Sequence, residues 1–225
     1  MINMINIKKH FILSGLSLIL PLFYSVWSQS LHLTGLTSFP KAPPELSQRI
    51  FSRPEPTPNN ETRIEEQRVK NKIWKVISKH RTGLEARSLK QIPHRIYQES
   101  KKYGYDPLFL TALIVTESSF NNWAKSHKGA LGLMQIKPAT GQAMASEMGT
   151  AWAGQSTLFD PATNIALGAF YLNKLKKRFK DMKVALEAYN HGPTRISRYL
   201  RKGKLPEDYS KKVFRIYDLI QSQSI

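Results

Sequence analysis

Residues 106–120 read DPLFLTALIVTESSF. Asp106 before Pro107 is a helix-start signal. The aspartate side chain can accept from the free N–H groups of a first turn, and proline suits a first helical position whose own N–H has no partner. From Leu108 the segment is apolar almost all round, so it reads as a helix buried on every side. Such a helix belongs at the centre of a domain, and the flanking sequence has to supply the helices that surround it.

Those flanks are helical in pattern. After Glu61, residues Ile64, Val69, Ile73, Trp74, Val76 and Ile77 recur at three- and four-residue intervals with charges between them. Gly83 ends that helix or breaks a short helical pair. A second amphipathic helix is expected from Ile92 to Tyr103, with Pro93 in its first turn and Gly104 as its stop. Beyond the central helix, Gly129, Gly132 and Gly141 punctuate the chain. Asp160-Pro161 repeats the cap signal and opens a helix carrying Ile165, Leu167, Phe170, Tyr171, Leu172 and Leu175. Met182 to Tyr189 reads as a short helix ended by Gly192-Pro193, and Tyr209 to Ile220 closes the chain. No stretch alternates convincingly as a strand, so the expected fold is all-α or nearly so.

The N-terminal part is of another kind. Lys8, Lys9 and His10 precede the uncharged run Phe11 to Trp27 (FILSGLSLILPLFYSVW), the order of a secretory signal. A retained membrane anchor is the rival, because the run approaches the ~20 residues that span a bilayer. Pro21 and the slightly short length favour a signal cleaved after Ser28. Either reading exports the remainder to the periplasm or cell envelope, with attachment to the inner membrane if residues 11–27 are kept. Residues 29–60 hold Pro40, Pro43, Pro44, Pro54, Pro56 and Pro58, and read as a partly extended linker. The expected domains are therefore 1–28 signal or anchor, 29–60 linker, 61–90 helical extension, and 91–225 functional domain.

Composition removes some chemistries. The 225 residues include no cysteine, which excludes disulfides, thiolate metal sites, thiol nucleophiles and lipidation at an N-terminal cysteine. With Lys+Arg 34 against Asp+Glu 16, the formal charge of +18 favours polyanionic partners. Residues 174–215 alone hold fourteen Lys or Arg and four acids. Nucleic acid is not expected as a partner, since export separates the chain from it and no recognition motif is present.

Glu117 is the candidate for chemistry. It ends the apolar helix, where lost hydration raises a carboxyl pKa and keeps it protonated near neutral pH. The negative end of the helix dipole pushes the same way. Read alone, this residue fits a solvated helix end or a pair with a nearby lysine better than it fits a catalytic acid. Its surroundings decide between them. Glu117-Ser118-Ser119-Phe120 is followed by Ser126, by Gly129-Ala130-Leu131-Gly132-Leu133-Met134-Gln135, by Gly168-Ala169-Phe170-Tyr171-Leu172 and by Ala188-Tyr189-Asn190-His191-Gly192.

This ordered series, within roughly residues 92–220, resembles the soluble lytic transglycosylase family. The resemblance implies a lysozyme-like helical fold and cleavage of peptidoglycan, with Glu117 as catalytic acid and base. It implies that Ser118 supports the backbone of the site and that Ser126 offers a hydroxyl near the cleaved sugar. Met134 and Gln135 would line the glycan groove, although a methionine there also suits the core. Tyr189 would bring its hydroxyl near the carboxylate, Asn190 would bind the N-acetyl sugar, and Tyr171 would pack beneath. His191 stands where the family frequently carries alanine. Between Glu117 and Tyr189 the remaining acids are Glu147, Asp160, Asp181 and Glu187. Asp160 and Asp181 suit helix starts, Glu147 and Glu187 suit solvated faces, and none belongs to a second catalytic motif.

One carboxylate suffices if the substrate assists. The resemblance supplies that route, in which the muramic acid's own 6-hydroxyl attacks C1 to give a 1,6-anhydro product. A hydrolytic muramidase of the same fold and a non-catalytic peptidoglycan-binding envelope protein are the rival readings. No cofactor or metal is expected. The partners expected are glycan strands, with envelope or secretion machinery as further candidates, and the chain is expected to be a monomer.

Overall fold

The computed structural model describes residues 59–222, so the signal or anchor and nearly all of the proline-rich linker lie outside the described residues. Among the described residues eight α-helices follow one another: α1 (Asn60–Ile77), α2 (Ala86–Tyr103), α3 (Pro107–Ser118), α4 (Pro138–Met148), α5 (Pro161–Phe179), α6 (Met182–His191), α7 (Pro193–Arg201) and α8 (Asp208–Ser222). A 3₁₀ turn at Gln155–Phe159 precedes α5. Extended structure among the described residues is limited to two isolated bridges, which Leu131 makes to Lys125 and Ile136.

The helix starts follow the side chains that cap them. Asp106 accepts from Leu108 N–H at 2.7 Å, Asp160 from Thr163 N–H at 2.7 Å and Asp181 from Val184 N–H at 2.9 Å. Each fills a donor that the first turn leaves free. Pro107, Pro138, Pro161 and Pro193 occupy the first positions of their helices. Gly104 closes α2 in the left-handed region at φ 66°, where the missing Cβ removes the steric penalty.

Helix α3 is central. Leu110, Ala112, Leu113 and Ile114 are all 0% exposed, which an apolar helix needs if it is to avoid hydrating its surface. Helices α1, α2 and α8 pack around it, while α5 packs on α2, α4 and α6. Ile73, Val76 and Ile77 of α1 join the same core, so this N-terminal helix is part of one packed body. No helix among the described residues is long and apolar enough to cross a membrane.

Three elements differ from expectation. Helix α2 begins at Ala86, which puts Pro93 in its interior rather than its first turn and carries the helix across the boundary drawn at residues 90–91. Leu89, packed on the core, and its N–H bond to Glu85 C=O at 2.9 Å extend the helix upstream of the proline. Helix α4 encloses Gly141, which is not a turn residue. A Cβ there would lie 2.9 Å from the Trp152 ring and 3.0 Å from Leu158, so the glycine lets the helix approach its neighbours. Helix α7 starts at Pro193, in the same Gly-Pro pair that ends α6.

Candidate active site

Helix α3 delivers Glu117 in its last turn to a groove of about 360 Å³. Ser126, Gln135, Tyr189, Asn190 and His191 line the same groove. Among the described residues Glu117 is the only carboxylate on its wall. A wider hollow of about 580 Å³ elsewhere is bordered by Glu147, but that acid is paired with Lys174 in solvent and lacks a comparable environment. No group of three His, Asp or Glu side chains among the described residues is placed to hold a metal ion.

The loop after α3 is tightly specified. Ser119 and Phe120 both have positive φ, 50° and 60°, an uncommon pair for residues with a Cβ. Phe120 is held there by burial, being 1% exposed. Ser118 Oγ donates to Leu133 C=O at 2.7 Å and ties the end of α3 to the Gly-Leu-Met-Gln segment. Ser126 Oγ accepts from Ala130 N–H at 3.0 Å, closing a turn that borders the groove. The Gln135 amide donates to Ala124 C=O and Gly132 C=O at 3.1 and 3.0 Å.

Asn164 of α5 anchors this loop from behind, a role that sequence reading did not assign. Fully buried, it accepts from Met134 N–H at 2.7 Å and donates to Leu131 C=O and Leu158 C=O at 3.1 and 2.8 Å. An Asn can satisfy two loop backbone groups and one of the 3₁₀ turn at once because its amide carries both donors and an acceptor. Gly132, at φ 77°, lies so close that a Cβ would stand 2.3 Å from Asn164 Nδ2 and from Leu158 O.

Met134 does not line the groove. Its side chain is 0% exposed and packs where a Cβ on Gly168 would meet its sulfur at 2.4 Å. The Gly-Leu-Met segment turns its side chains into the core, which leaves the Met134 backbone for the site. Tyr189 uses that backbone, donating its hydroxyl to Met134 C=O at 2.8 Å rather than to Glu117. Tyr171 packs its ring 5.3 Å from that of Tyr189, as expected, and also reaches the groove.

The partner of Glu117 is Tyr209, at the start of α8, whose hydroxyl donates to Glu117 Oε1. Sequence reading counted Tyr209 only as a helix residue, and 92 positions separate the pair. Burial lifts the Glu117 carboxyl from 4.5 to about 7, against the Tyr209 hydrogen bond and the Lys212 charge, which both pull it down. Desolvation wins because the carboxyl is largely withdrawn from water, and the single hydrogen bond and the lysine charge do not make up for the lost hydration. The Tyr209 and Tyr189 hydroxyls are both pushed well above their usual range, by burial first and by the Glu117 charge next. Both tyrosines therefore stay protonated and available as donors.

Glu187 corrects another expectation. It was placed on a solvated face, yet it is 0% exposed, because α6 turns this side toward the first turn of α8.

Residues 95–211 match the family model for the transglycosylase SLT domain, slightly more than half of the chain. The chain belongs to this family. Family membership covers every residue of the groove, from Glu117 through Ser126 and Gln135 to Tyr189, and includes Tyr209. Membrane-bound lytic murein transglycosylase C of Shigella sonnei is 35% identical over 120 residues, which cover 49% of this chain and 33% of that protein. A putative soluble lytic murein transglycosylase of Haemophilus influenzae is 35% identical over 103 residues, 44% of this chain and 17% of the other. The chain thus spans a third or less of these relatives' lengths. The structure of a 70-kDa soluble lytic transglycosylase with bulgecin A superposes at a TM-score of 0.52 and 23% identity, over 61% of this chain and 26% of that one. That likeness bears on the fold, which is the helical fold of this SLT relative.

Proposed function

We propose that this protein is a peptidoglycan lytic transglycosylase that cleaves the β-1,4 bond between N-acetylmuramic acid and N-acetylglucosamine without water. One observation carries the reading. Among the described residues the groove presents a single carboxyl, Glu117, lifted by burial to about 7, so it can give a proton and then take one back near neutral pH. A glycosidase using water normally flanks the bond with a second carboxylate.

In this mechanism Glu117 protonates the bridging oxygen. The bond from C1 of muramic acid to that oxygen breaks, and the N-acetylglucosamine 4-hydroxyl leaves. The carbonyl oxygen of the 2-acetamido group supports the cationic C1. Glu117, now a carboxylate held by the Tyr209 hydroxyl, accepts the proton of the same sugar's 6-hydroxyl as O6 bonds to C1. The product is a 1,6-anhydro ring, and Glu117 ends protonated as it began. Tyr209 favours the charged form between the two proton transfers, which matters because the surroundings oppose that charge.

Ser126, Gln135 and Asn190 supply polar groups for the N-acetyl sugar. Ser118, Tyr189 and the Met134 carbonyl hold the groove's backbone in place. The excess of basic residues across 174–215 suits the carboxylates on peptidoglycan peptides and raises encounter rates. Export through the N-terminal segment would bring the enzyme to this substrate. The test is Glu117→Gln, which keeps the shape and removes the proton. Release of soluble fragments from purified sacculi should fall by about 10³-fold or more, within the range that loss of an essential acid–base group produces. Unchanged release would overturn the assignment.

A further inference from the structure

Glu187 is a buried carboxylate that the mechanism above leaves without a task. Its Oε1 accepts from Ser210 N–H at 2.8 Å. Ser210, itself 1% exposed, lies in the first turn of α8, where backbone N–H groups lack intrahelical partners and the dipole favours negative charge. A side chain of α6 thus caps α8. The other oxygen, Oε2, has no hydrogen-bond partner, and His191 Nε2 on the groove side stands 3.5 Å away. A carboxylate buried with an oxygen unfilled is costly to keep.

Its neighbours indicate what it does. Ser210 directly follows Tyr209, whose hydroxyl donates to Glu117. Tyr209 is itself buried and feels the negative charge of both Glu117 and Glu187, which push its hydroxyl up. Tyr209 stands in the same first turn as Ser210, so the Glu187 bond from α6 bears on where its hydroxyl points. Misplacing a group at a reaction centre by ~1 Å can cost about 10²-fold in rate.

We propose that Glu187 is a positioning residue for the acid, capping α8 from α6 so that the Tyr209 hydroxyl stays on Glu117. This inference rests on the assignment of Glu117 made above. A cap that merely stabilises α8 would affect folding alone, whereas a positioning role must act through Tyr209.

The experiment is a double-mutant cycle on soluble glycan strands, measuring kcat, KM and circular dichroism for Glu187→Ala, Glu187→Gln, Tyr209→Phe, Glu187→Ala with Tyr209→Phe, and Glu117→Gln. Glu187→Ala should lower kcat about tenfold with KM within about twofold, and Glu187→Gln should recover to within about threefold because its amide oxygen still accepts. In the Tyr209→Phe background the same Glu187→Ala change should alter kcat by less than about twofold, since the hydroxyl it positions is gone. Equal kcat losses in both backgrounds, or a loss confined to KM, would overturn the proposal. If Glu187→Ala does not fold, Glu187→Asp takes its place in the cycle under the same criteria, drawing the carboxylate back by one methylene. An active Glu117→Gln would defeat the catalytic assignment itself, while an inactive one with additive Glu187 and Tyr209 losses would defeat only the positioning role.

Discussion

Replacing Tyr209 by Phe removes one oxygen from a packed ring and leaves Glu117 without its hydrogen-bond donor. That bond lowers the Glu117 carboxyl, which burial nevertheless holds at about 7. A hydrogen bond to a charged group contributes about 1.5–3 kcal/mol, and 1.36 kcal/mol corresponds to one pKa unit. Losing it should therefore raise the carboxyl by about one to two units, to between about 8 and 9. The sign is decisive for kcat/KM. In the proposed mechanism Glu117 must be protonated to start the reaction, so activity should fall as pH rises past its pKa, and the alkaline limb of the Tyr209→Phe profile should move to higher pH. The rate on the acid side should fall at the same time, by about tenfold if about 1.4 kcal/mol of support for the charged intermediate is lost. Initial rates on soluble glycan strands from about pH 5 to 9, with circular dichroism at each pH, measure both effects. A limb that stays in place, or moves to lower pH, would refute the coupling between this tyrosine and the acid.

Two further outcomes follow from the same packing. Glu117→Gln should make the fold more stable at high pH. The folded carboxyl sits at about 7 against 4.5 unfolded, so the native acid loses stability as pH rises from about 4.5 to about 7, by at most about 3 kcal/mol. Urea unfolding should show the variant ahead by up to that amount at pH 8, with no difference below about pH 4, and equal stability at pH 8 would contradict the buried-acid environment. Gly132→Ala should destabilise the fold by about 3 kcal/mol or more, because φ is 77° and the new Cβ would meet Leu158 O and Asn164 Nδ2 at 2.3 Å. A thermal midpoint within a degree or two of the parent would show that the loop relaxes freely.

What the sequence made legible was local chemistry. The Asp-Pro pairs marked helix starts because capping depends on residues a few positions apart, and the all-round apolar pattern of α3 identified the central helix for the same reason. Glu117 was findable because it interrupts that pattern at its end. Gly141 misled, since a glycine needed for close packing inside α4 looks the same in sequence as one needed for a turn. Tyr209, Asn164 and the buried state of Glu187 arise from contacts made only once α5, α6 and α8 dock, and no periodicity within a single helix encodes them. Met134 could have been read either way, and the close approach of Gly168 decides for the core.

The most direct test is the chemistry of the cleaved end. Glycan strands digested in ¹⁸O-labelled water and examined by mass spectrometry should yield muropeptides ending in 1,6-anhydro-N-acetylmuramic acid, with no label incorporated, if Glu117 acts alone as acid and then base. Reducing ends carrying ¹⁸O would show that water attacks C1, and would contradict the single-carboxyl mechanism.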